Sequence, residues 1–309
     1  MTDVMDEGLF KMKTAPPVTL YDKFVIPPFS ILDRRSGQWQ ERKHKWLRLG
    51  IQSEIGRTEE MGFLAAAMNG RGGALEERIQ ACGGAVSIFD PVLCELPYRW
   101  FSPREGLILD PFAGGSVRGV VAGVLERHYL GIDLRPEQVE ANRAQGHLTG
   151  NGYTPEWVCG PSQDVIPTLD VEADFIFTCP PYADLEVYSD HPDDLSNMPP
   201  DDFTKVYYEI IRLACDRLKD NRFAAWVISD VRDKKGLYRG LVLNTIDAFA
   251  ASGLALYNDI VTLDPVGSGA MLAGRQFEAG RKVRRMHQHM LVFVKGDPKK
   301  ASQACGDLY

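Results

Sequence analysis

The sequence predicts an α/β fold built on a doubly wound, mostly parallel sheet of seven strands. After residue 89, short apolar runs alternate with stretches of helical length, and the last two apolar runs have no helix between them. Alternating strands and helices form a parallel sheet that helices cover on both faces, whereas two successive strands pair as an antiparallel hairpin. We therefore expect a terminal hairpin at one edge of the sheet, and a ligand at the carboxyl ends of the strands.

Each element is predicted from its local pattern. The predicted strands are the apolar runs 106–110, 129–134, 157–160, 173–179, 222–230, 254–263 and 289–296. The predicted helices are 117–128, 136–145, 201–220 and 241–252. The valines of the first helix recur at helical spacing, Pro136 suits a first helical turn, and Gly253 suits a helix end. Residues 1–88 lack this order and are predicted to be an N-terminal extension of a domain that spans 89–309.

Composition excludes several classes of protein. The chain has 309 residues, 44% of them hydrophobic, and a net charge of −7, which is typical of a soluble globular protein. No apolar run approaches the ~18 residues of a membrane span, and the start has no signal-peptide core. Six widely spaced cysteines without a CxxC pair indicate reduced thiols and no metal site. We therefore expect a cytoplasmic protein without a membrane partner or a metal.

A glycine-rich turn follows the first predicted strand. It reads Asp110-Pro111-Phe112-Ala113-Gly114-Gly115-Ser116, and Asp133 ends the next strand 19 residues after Gly114. A carboxylate there binds the ribose diol in nucleoside-binding α/β folds. The turn lacks both GxGxxG and GK[ST], so it favours neither a dinucleotide nor a P-loop ligand. An acid before the turn suits a cationic nucleoside that carries an amino acid, and S-adenosylmethionine is such a ligand.

A second turn, Cys179-Pro180-Pro181-Tyr182, follows the strand that ends at residue 179. Two consecutive prolines cannot continue a strand ladder, so they fix a stiff turn at the end of the strand. A stiff turn that presents carbonyls and an aromatic face can hold an amino group and stack on its ring.

The two turns together resemble those of the DNA amino-methyltransferases, whose signatures are a DPFxGxG-type turn and [DNS]-P-P-[YFW]. The resemblance runs from Phe89 to the end of the sequence. The strings TCPPYADLEVYSDHPDDLSNM, HQHMLVFVKGDPKK and PPFSILDRRSGQWQERKHKW resemble a phage-borne group of such enzymes. The resemblance implies a class I, Rossmann-like methyltransferase fold, S-adenosylmethionine as cofactor and DNA as partner, as in restriction-modification systems.

The resemblance also implies roles for individual residues. Asp110 through Ser116 would hold the methionine part of the cofactor, Asp133 would bind its ribose, and Asp164 would lie near its adenine. Leu134 would also contact the cofactor, and Phe89 would close over it. Cys179, Pro180, Pro181 and Tyr182 would hold a flipped base, because a stacked base cannot present its amino nitrogen to the methyl group.

Cys179 stands where that family has Asp, Asn or Ser, which leaves several interpretations open. Cysteine can replace serine, and the serine form of the motif is associated with transfer to cytosine N4. On this interpretation we expect cytosine N4 as the target ahead of adenine N6. Cys179 can instead be the thiolate nucleophile of cytosine-C5 methylation, with Asp230 as the acid near the base. A third interpretation is an inactive protein that binds the cofactor and nucleic acid. RNA or a free nucleotide also stays open as substrate.

Two basic clusters are candidate nucleic-acid contacts. Arg42, Lys43 and Lys45 lie in a stretch with two tryptophans, which forms either a solvated helix face with buried tryptophans or a phosphate-binding, base-stacking surface. The second cluster lies in a predicted loop, 274–289, between the last two strands; its members are Arg275, Arg281, Lys282, Arg284 and Arg285. Long basic loops in compact domains are usually functional, so we expect this one to contact the nucleic-acid backbone.

Overall fold

The computed structural model describes residues 19–52, 89–182, 191–233, 235–265 and 269–308. Its strands are β1 (Ile31–Asp33), β2 (Leu107–Asp110), β3 (His128–Asp133), β4 (Glu156–Cys159), β5 (Ala173–Thr178), β6 (Leu218–Ile228), β7 (Leu254–Leu263) and β8 (His287–Lys295). The α-helices in these ranges are α1 (Leu20–Phe24), α2 (Gly37–Leu47), α3 (Pro91–Phe101), α4 (Val117–Val124), α5 (Pro136–Ala144), α6 (Ser162–Val165), α7 (Pro200–Arg217), α8 (Leu241–Ala251), α9 (Gly269–Gly280) and α10 (Pro298–Cys305).

The strands form one sheet in the order β1-β7-β8-β6-β5-β2-β3-β4. All pairings are parallel except those of β8, which runs antiparallel to both β6 and β7. The chain winds outwards from β2 through β3 to β4, and then returns to β5 on the other side of β2. This reversal between β2 and β5 is the topological switch point at which doubly wound sheets bind ligands. The predicted doubly wound, Rossmann-like fold with its antiparallel terminal hairpin is confirmed.

The sheet differs from the prediction in having an eighth strand. Residues 31–33 pair in parallel with residues 261–263 of β7, so part of the N-terminal extension belongs to the sheet. The β7–β8 hairpin is consequently not at an edge: β8 lies between β6 and β7, and β1 pairs beyond β7. A three-residue strand has no alternation for sequence analysis to detect, because its pairing depends on residues about 230 positions away.

Helices cover both faces of the sheet, which the strand sequences require. In β5, Phe175 and Phe177 belong to one apolar cluster with Val120 of α4, whereas Ile176 belongs to another with Ile210 of α7. Successive side chains of a strand point to opposite faces, so an uninterrupted apolar strand must be covered on both. β5 is accordingly buried along its whole length.

The N-terminal extension is attached to α3 by a buried charge cluster. Trp39 and Trp46 of α2 are fully buried, which confirms the interpretation that these tryptophans reach into the core. Trp46 Nε1 donates to Glu95 Oε2 at 2.7 Å, while Arg42 and Arg99 pair with the same carboxylate. Burial raises the pKa of Glu95, but the charges of Arg42 and Arg99 and their hydrogen bonds outweigh burial and lower this pKa to about 2.

Two further segments differ from the sequence predictions. The loop predicted at 274–289 is partly helical, since α9 occupies Gly269–Gly280 and β8 already begins at His287. The chain also continues after the last strand into α10, whose Ala301 is buried. Among the described helices, none combines the length and the apolar surface that a bilayer crossing requires. Cys94, Cys159, Cys179, Cys215 and Cys305 are free thiols, and Cys82 lies outside the described residues.

Candidate functional site

A cavity of about 230 Å³ opens at the carboxyl ends of the strands, across the switch point between β2 and β5. Its lining comes from both sides of that point. The glycine half consists of residues at the carboxyl ends of β2, β3 and β4 or in the segments that follow them, among them Pro111, Phe112, Gly114, Asp133, Leu134 and Gln163. The proline half consists of residues that follow β5, or lie near β8 and β1, among them Cys179, Pro180, Pro181, Tyr182, Gln288 and Arg34. The two turns singled out in the sequence therefore share one cavity.

Most of the predicted cofactor residues line this cavity: Phe89, Pro111, Phe112, Ala113, Gly114, Gly115, Asp133 and Leu134. Three predicted residues, Asp110, Ser116 and Asp164, lie outside the lining. Ser116 is fully buried and its hydroxyl donates to Gln145 Oε1 at 3.1 Å.

The glycine turn is held rigidly by hydrogen bonds to its backbone. Gly114 has φ +53°, a left-handed conformation that favours glycine. Its N–H donates to Asp133 Oδ2 at 2.9 Å, and its carbonyl accepts from Asn142 Nδ2 at 2.7 Å. Arg118 Nη2 donates to the carbonyl of Ala113 at 2.8 Å, and the Ser162 hydroxyl donates to the carbonyl of Pro111. The turn is thus fixed in shape by side chains of the surrounding protein.

Asp110 is a structural residue of this turn, which differs from its predicted place against the cofactor. Its side chain is completely buried and accepts from Phe112 N, Thr178 Oγ1, Arg118 Nε and Tyr129 Oη, at 2.5–3.1 Å. Burial lowers the pKa of Arg118, but the Asp110 carboxylate more than compensates, so this pKa lies above its ordinary value. Because Arg118 neutralises Asp110, the acid contributes no free negative charge to the cavity.

The acid at the end of β3 does line the cavity. Asp133 accepts from Gly114 N through Oδ2 and from Arg135 N, at 3.0 Å, through Oδ1. Asp164, by contrast, is exposed on α6, and its neighbour Gln163 lines the cavity instead. Gln163 Oε1 is buried and has no hydrogen-bond partner among the described residues. A buried acceptor without a donor costs about 1–3 kcal/mol, so the Gln163 amide is under no constraint from a protein partner.

In the second turn, the side chains of Cys179 and Tyr182 contact each other. Cys179 Sγ lies 3.4 Å from Tyr182 Oη. Cys179 packs against the apolar cluster of α3 and α4, and Tyr182 packs against the cluster of α7 and α8. Phe89 lies behind this turn, with its ring 6.0 Å from that of Phe177 and 4.7 Å from the Arg118 guanidinium.

Asp230 lies outside the cavity, which differs from its predicted role as an acid beside the base. Its Oδ1 accepts from the N–H groups of Val231 at 2.9 Å, Gly240 at 3.0 Å and Leu241 at 3.3 Å. These bonds hold the first residue of α8, whose N–H groups have no partner within the helix. Asp230 therefore caps a helix.

Basic residues form a surface at the same edge of the sheet as the cavity. The segments after β6 and after β7 both leave the sheet at the carboxyl ends of the parallel strands, and they touch each other. The Arg232 guanidinium lies 3.9 Å from the centre of the Tyr238 ring, and that of Arg285 lies 5.5 Å from it. We use the name basic surface for the following basic residues of these two segments: Arg232, Arg239, Arg275, Arg281, Lys282, Arg284 and Arg285.

The cluster on α2 is less accessible. Arg42 is 15% exposed and its guanidinium pairs with Glu95. Lys43 Nζ lies 3.6 Å from Asp90, and Lys45 Nζ lies 3.3 Å from Glu41. These cations are engaged by neighbouring carboxylates. In the part of the chain that the structure describes, no group of three or more His, Cys, Asp or Glu side chains is arranged to hold a metal ion.

No protein-family model matches the chain, and no curated protein matches it. Several solved structures are similar to it in fold. TrmN from Thermus thermophilus is 15% identical, with a TM-score of 0.45; the match covers 75% of this chain and 52% of TrmN, about half of its length. A TehB-like SAM-dependent methyltransferase from Corynebacterium glutamicum is 16% identical, with a TM-score of 0.41 and coverage of 72% and 94%. Magnesium protoporphyrin IX methyltransferase (ChlM) from Synechocystis, with bound SAM, is 9% identical, with a TM-score of 0.41 and coverage of 75% and 91%.

Proposed function

We propose that this protein is an S-adenosylmethionine-dependent methyltransferase that modifies a flipped base of DNA. The observation that carries the proposal is the cavity at the switch point, because the glycine turn and the Cys-Pro-Pro-Tyr turn line it from opposite sides. One half suits a nucleoside cofactor and the other a planar acceptor. A methyl transfer needs both molecules side by side.

The glycine half fits the cofactor. The rigid turn from Pro111 to Gly115 leaves room for the methionine part, and Asp133 provides a carboxylate for the ribose hydroxyls. Gln163 lines the same half, and a side-chain amide can both accept from the amino group of adenine and donate to its ring nitrogens. When bound, the cofactor supplies a methyl group already activated by the positive charge on its sulfur. The protein's task is therefore to position the acceptor, which alone can account for a large share of the rate.

The proline half suits an exocyclic amino group. The carbonyl of Pro180 can accept an amino hydrogen, and Tyr182 offers a ring on which a base stacks. The amino nitrogen would accept the methyl group that the cofactor supplies, which leaves S-adenosylhomocysteine, and its proton would pass to water. We propose cytosine N4 ahead of adenine N6, with Cys179 in the place of serine. For transfer to cytosine C5, the acid predicted beside the base, Asp230, caps α8 instead.

The basic surface supports DNA as the substrate. It lies at the same edge of the sheet as the cavity, although the whole chain carries a net charge of −7. Cations that neutralise phosphates supply most of the sequence-independent affinity of DNA-binding proteins. A duplex held there would have its flipped base near the proline half.

The test is to express the protein in bacteria, digest their DNA, and identify nucleosides by chromatography and mass spectrometry. We expect N4-methylcytosine, and markedly less of it in cells that carry an Asp133→Asn variant. A C5-modified cytosine would make Cys179 a nucleophile. A protein that binds S-adenosylhomocysteine but modifies no DNA would redirect the proposal to RNA or to a binding role.

A further inference from the structure

Arg34 is a cavity-lining residue that the sequence analysis did not single out. It follows β1 directly, and its side chain is 15% exposed. Nη1 donates to Asp264 Oδ1 at 2.5 Å, and Nη2 donates to Asp90 Oδ2 at 3.4 Å. The third nitrogen, Nε, is buried and has no hydrogen-bond partner among the described residues. Two carboxylates thus fix the guanidinium and use two of its five N–H donors.

Gln288 lines the same half of the cavity. It belongs to β8 and pairs with Thr262 of β7. The next residue of β7, Leu263, pairs with Asp33, the last residue of β1. Because β8 is antiparallel, its first residues lie at the carboxyl ends of its neighbours, on the β5 side of the switch point. Gln288 and Arg34 are therefore on the side of Cys179 and away from Asp133.

A guanidinium carries five N–H donors. Arg34 is held by two carboxylates at the wall of the cavity and therefore keeps donors for a ligand. The ligand of the proline half, on the proposed function, is a base whose amino group meets Pro180. Beyond its amino group, cytosine presents two acceptors in a row, N3 and the O2 carbonyl. Adenine, aligned by its amino group, presents N1 and then a C–H. Only cytosine offers an acceptor at the third position.

We infer that Arg34 and Gln288 bind the acceptor edge of the target base, and that the Arg34 guanidinium, by donating to the O2 carbonyl, selects cytosine over adenine. The inference rests on the proposed function and deepens it. The Gln288 amide donates to N3, since a side-chain amide carries two N–H donors. The N-terminal extension thereby supplies the residue that decides between the two bases.

The test compares three variants of the full-length protein. Arg34→Lys keeps a cation between Asp90 and Asp264 but removes the planar guanidinium and its donors. Gln288→Ala leaves both ion pairs of Arg34 in place. Arg35→Lys is the matched control, because Arg35 is adjacent and pairs with Asp33 but lies outside the cavity lining. The measurements are the thermal midpoint, the affinity for S-adenosylhomocysteine, and kcat/KM for methyl transfer to DNA, with N4-methylcytosine and N6-methyladenine counted separately.

We expect Arg34→Lys to lower kcat/KM on cytosine by about 10- to 100-fold, the effect of one lost hydrogen bond to a charged donor. The affinity for S-adenosylhomocysteine should change by less than about 2-fold, and the share of adenine among methylated bases should rise. Gln288→Ala should lower kcat/KM on cytosine in the same way, and Arg35→Lys should resemble the wild type. The inference is overturned if Arg34→Lys leaves kcat/KM and base choice unchanged, or if affinity for S-adenosylhomocysteine falls as much as transfer does. Should Arg34→Lys fail to fold, an unchanged Gln288→Ala would overturn it.

A wild-type protein that modifies no DNA would refute the proposed function and leave the pocket itself to be tested. Binding of free cytidine monophosphate and adenosine monophosphate is then measured by NMR in the presence of S-adenosylhomocysteine. Preference for cytidine monophosphate that Arg34→Lys abolishes supports the inference. Equal binding of both nucleotides, or a preference that survives Arg34→Lys, overturns it.

Discussion

The carboxylate of Glu95 attaches the N-terminal extension to the domain, and Glu95→Gln should therefore destabilise the protein strongly. Glu95 is completely buried and accepts from Arg42, Arg99 and Trp46. Its pKa falls from 4.5 to about 2, because the two arginines and the hydrogen bonds outweigh the effect of burial. At about 1.4 kcal/mol for each pKa unit, the charged form contributes about 3 kcal/mol to folding. The amide has the shape of the protonated acid and removes this contribution.

The sign of the pH dependence follows from the lowered pKa. A carboxyl group whose pKa is lower in the folded state stabilises the protein above its unfolded pKa of 4.5 and loses that effect as pH falls towards 2. The difference in unfolding free energy between wild type and Glu95→Gln should thus be about 3 kcal/mol at pH 7 and roughly half as large at pH 3. Urea unfolding at both values, followed by tryptophan fluorescence, measures it.

Glu41→Gln is the matched control. Glu41 lies on α2 and pairs with Lys45 at 3.3 Å, but its side chain is 70% exposed. Exposed ion pairs contribute about 0–1 kcal/mol, so this variant should unfold nearly as the wild type does. A loss below about 1 kcal/mol for Glu95→Gln, or a difference that grows at low pH, would refute the reasoning.

Three further predictions concern the site. Asp133→Asn should weaken S-adenosylhomocysteine binding about 10-fold or more in titration calorimetry, because the carboxylate both lines the cavity and holds the glycine turn. The control is Asp164→Asn, on the exposed face of α6, which should bind as the wild type does. Cys179→Ser should keep methyl transfer within about 3-fold, since amino transfer needs no covalent bond to the enzyme; loss of transfer to background would indicate a thiolate nucleophile. Arg281→Gln should reduce the slope of log DNA affinity against log salt concentration by about one unit. Lys299→Gln, at the opposite edge of the sheet, should leave that slope unchanged. Equal slopes for both variants would show that Arg281 does not contact DNA.

Local patterns were enough to predict most of the sheet. Strand 254–263 has the predicted bounds, and the helix at residue 241 begins where its pattern begins. These elements carry their own signals: an apolar run, a glycine stop, or a helical repeat. α9 was missed because Gly274 and Gly280, which usually break helices, lie within it. β1 was missed because its three residues are defined by their partner strand alone.

The parts of the site that lie within a single turn were predictable from the sequence. The contributions of side chains that are distant in the sequence were not. The glycine and proline turns were found because glycine and proline constrain the backbone wherever they stand. The environment of Asp110 was not predictable, because the sequence shows an acid before a turn but not that Arg118 folds back to neutralise it. Arg34 was missed for the same reason, since only the fold brings β1 to the cavity.

Placing β1 on the far side of β7 also sets an order of events during synthesis. The glycine half of the cavity is complete once residue 163 has been made, whereas the proline half needs Arg34 and Gln288, which are 254 positions apart. Residues 31–33 leave the ribosome early but have nothing to pair with until residues 261–263 follow. A protein whose domain folds from its N-terminus onwards would therefore complete its nucleoside pocket first and acquire discrimination between bases only as the last strand docks.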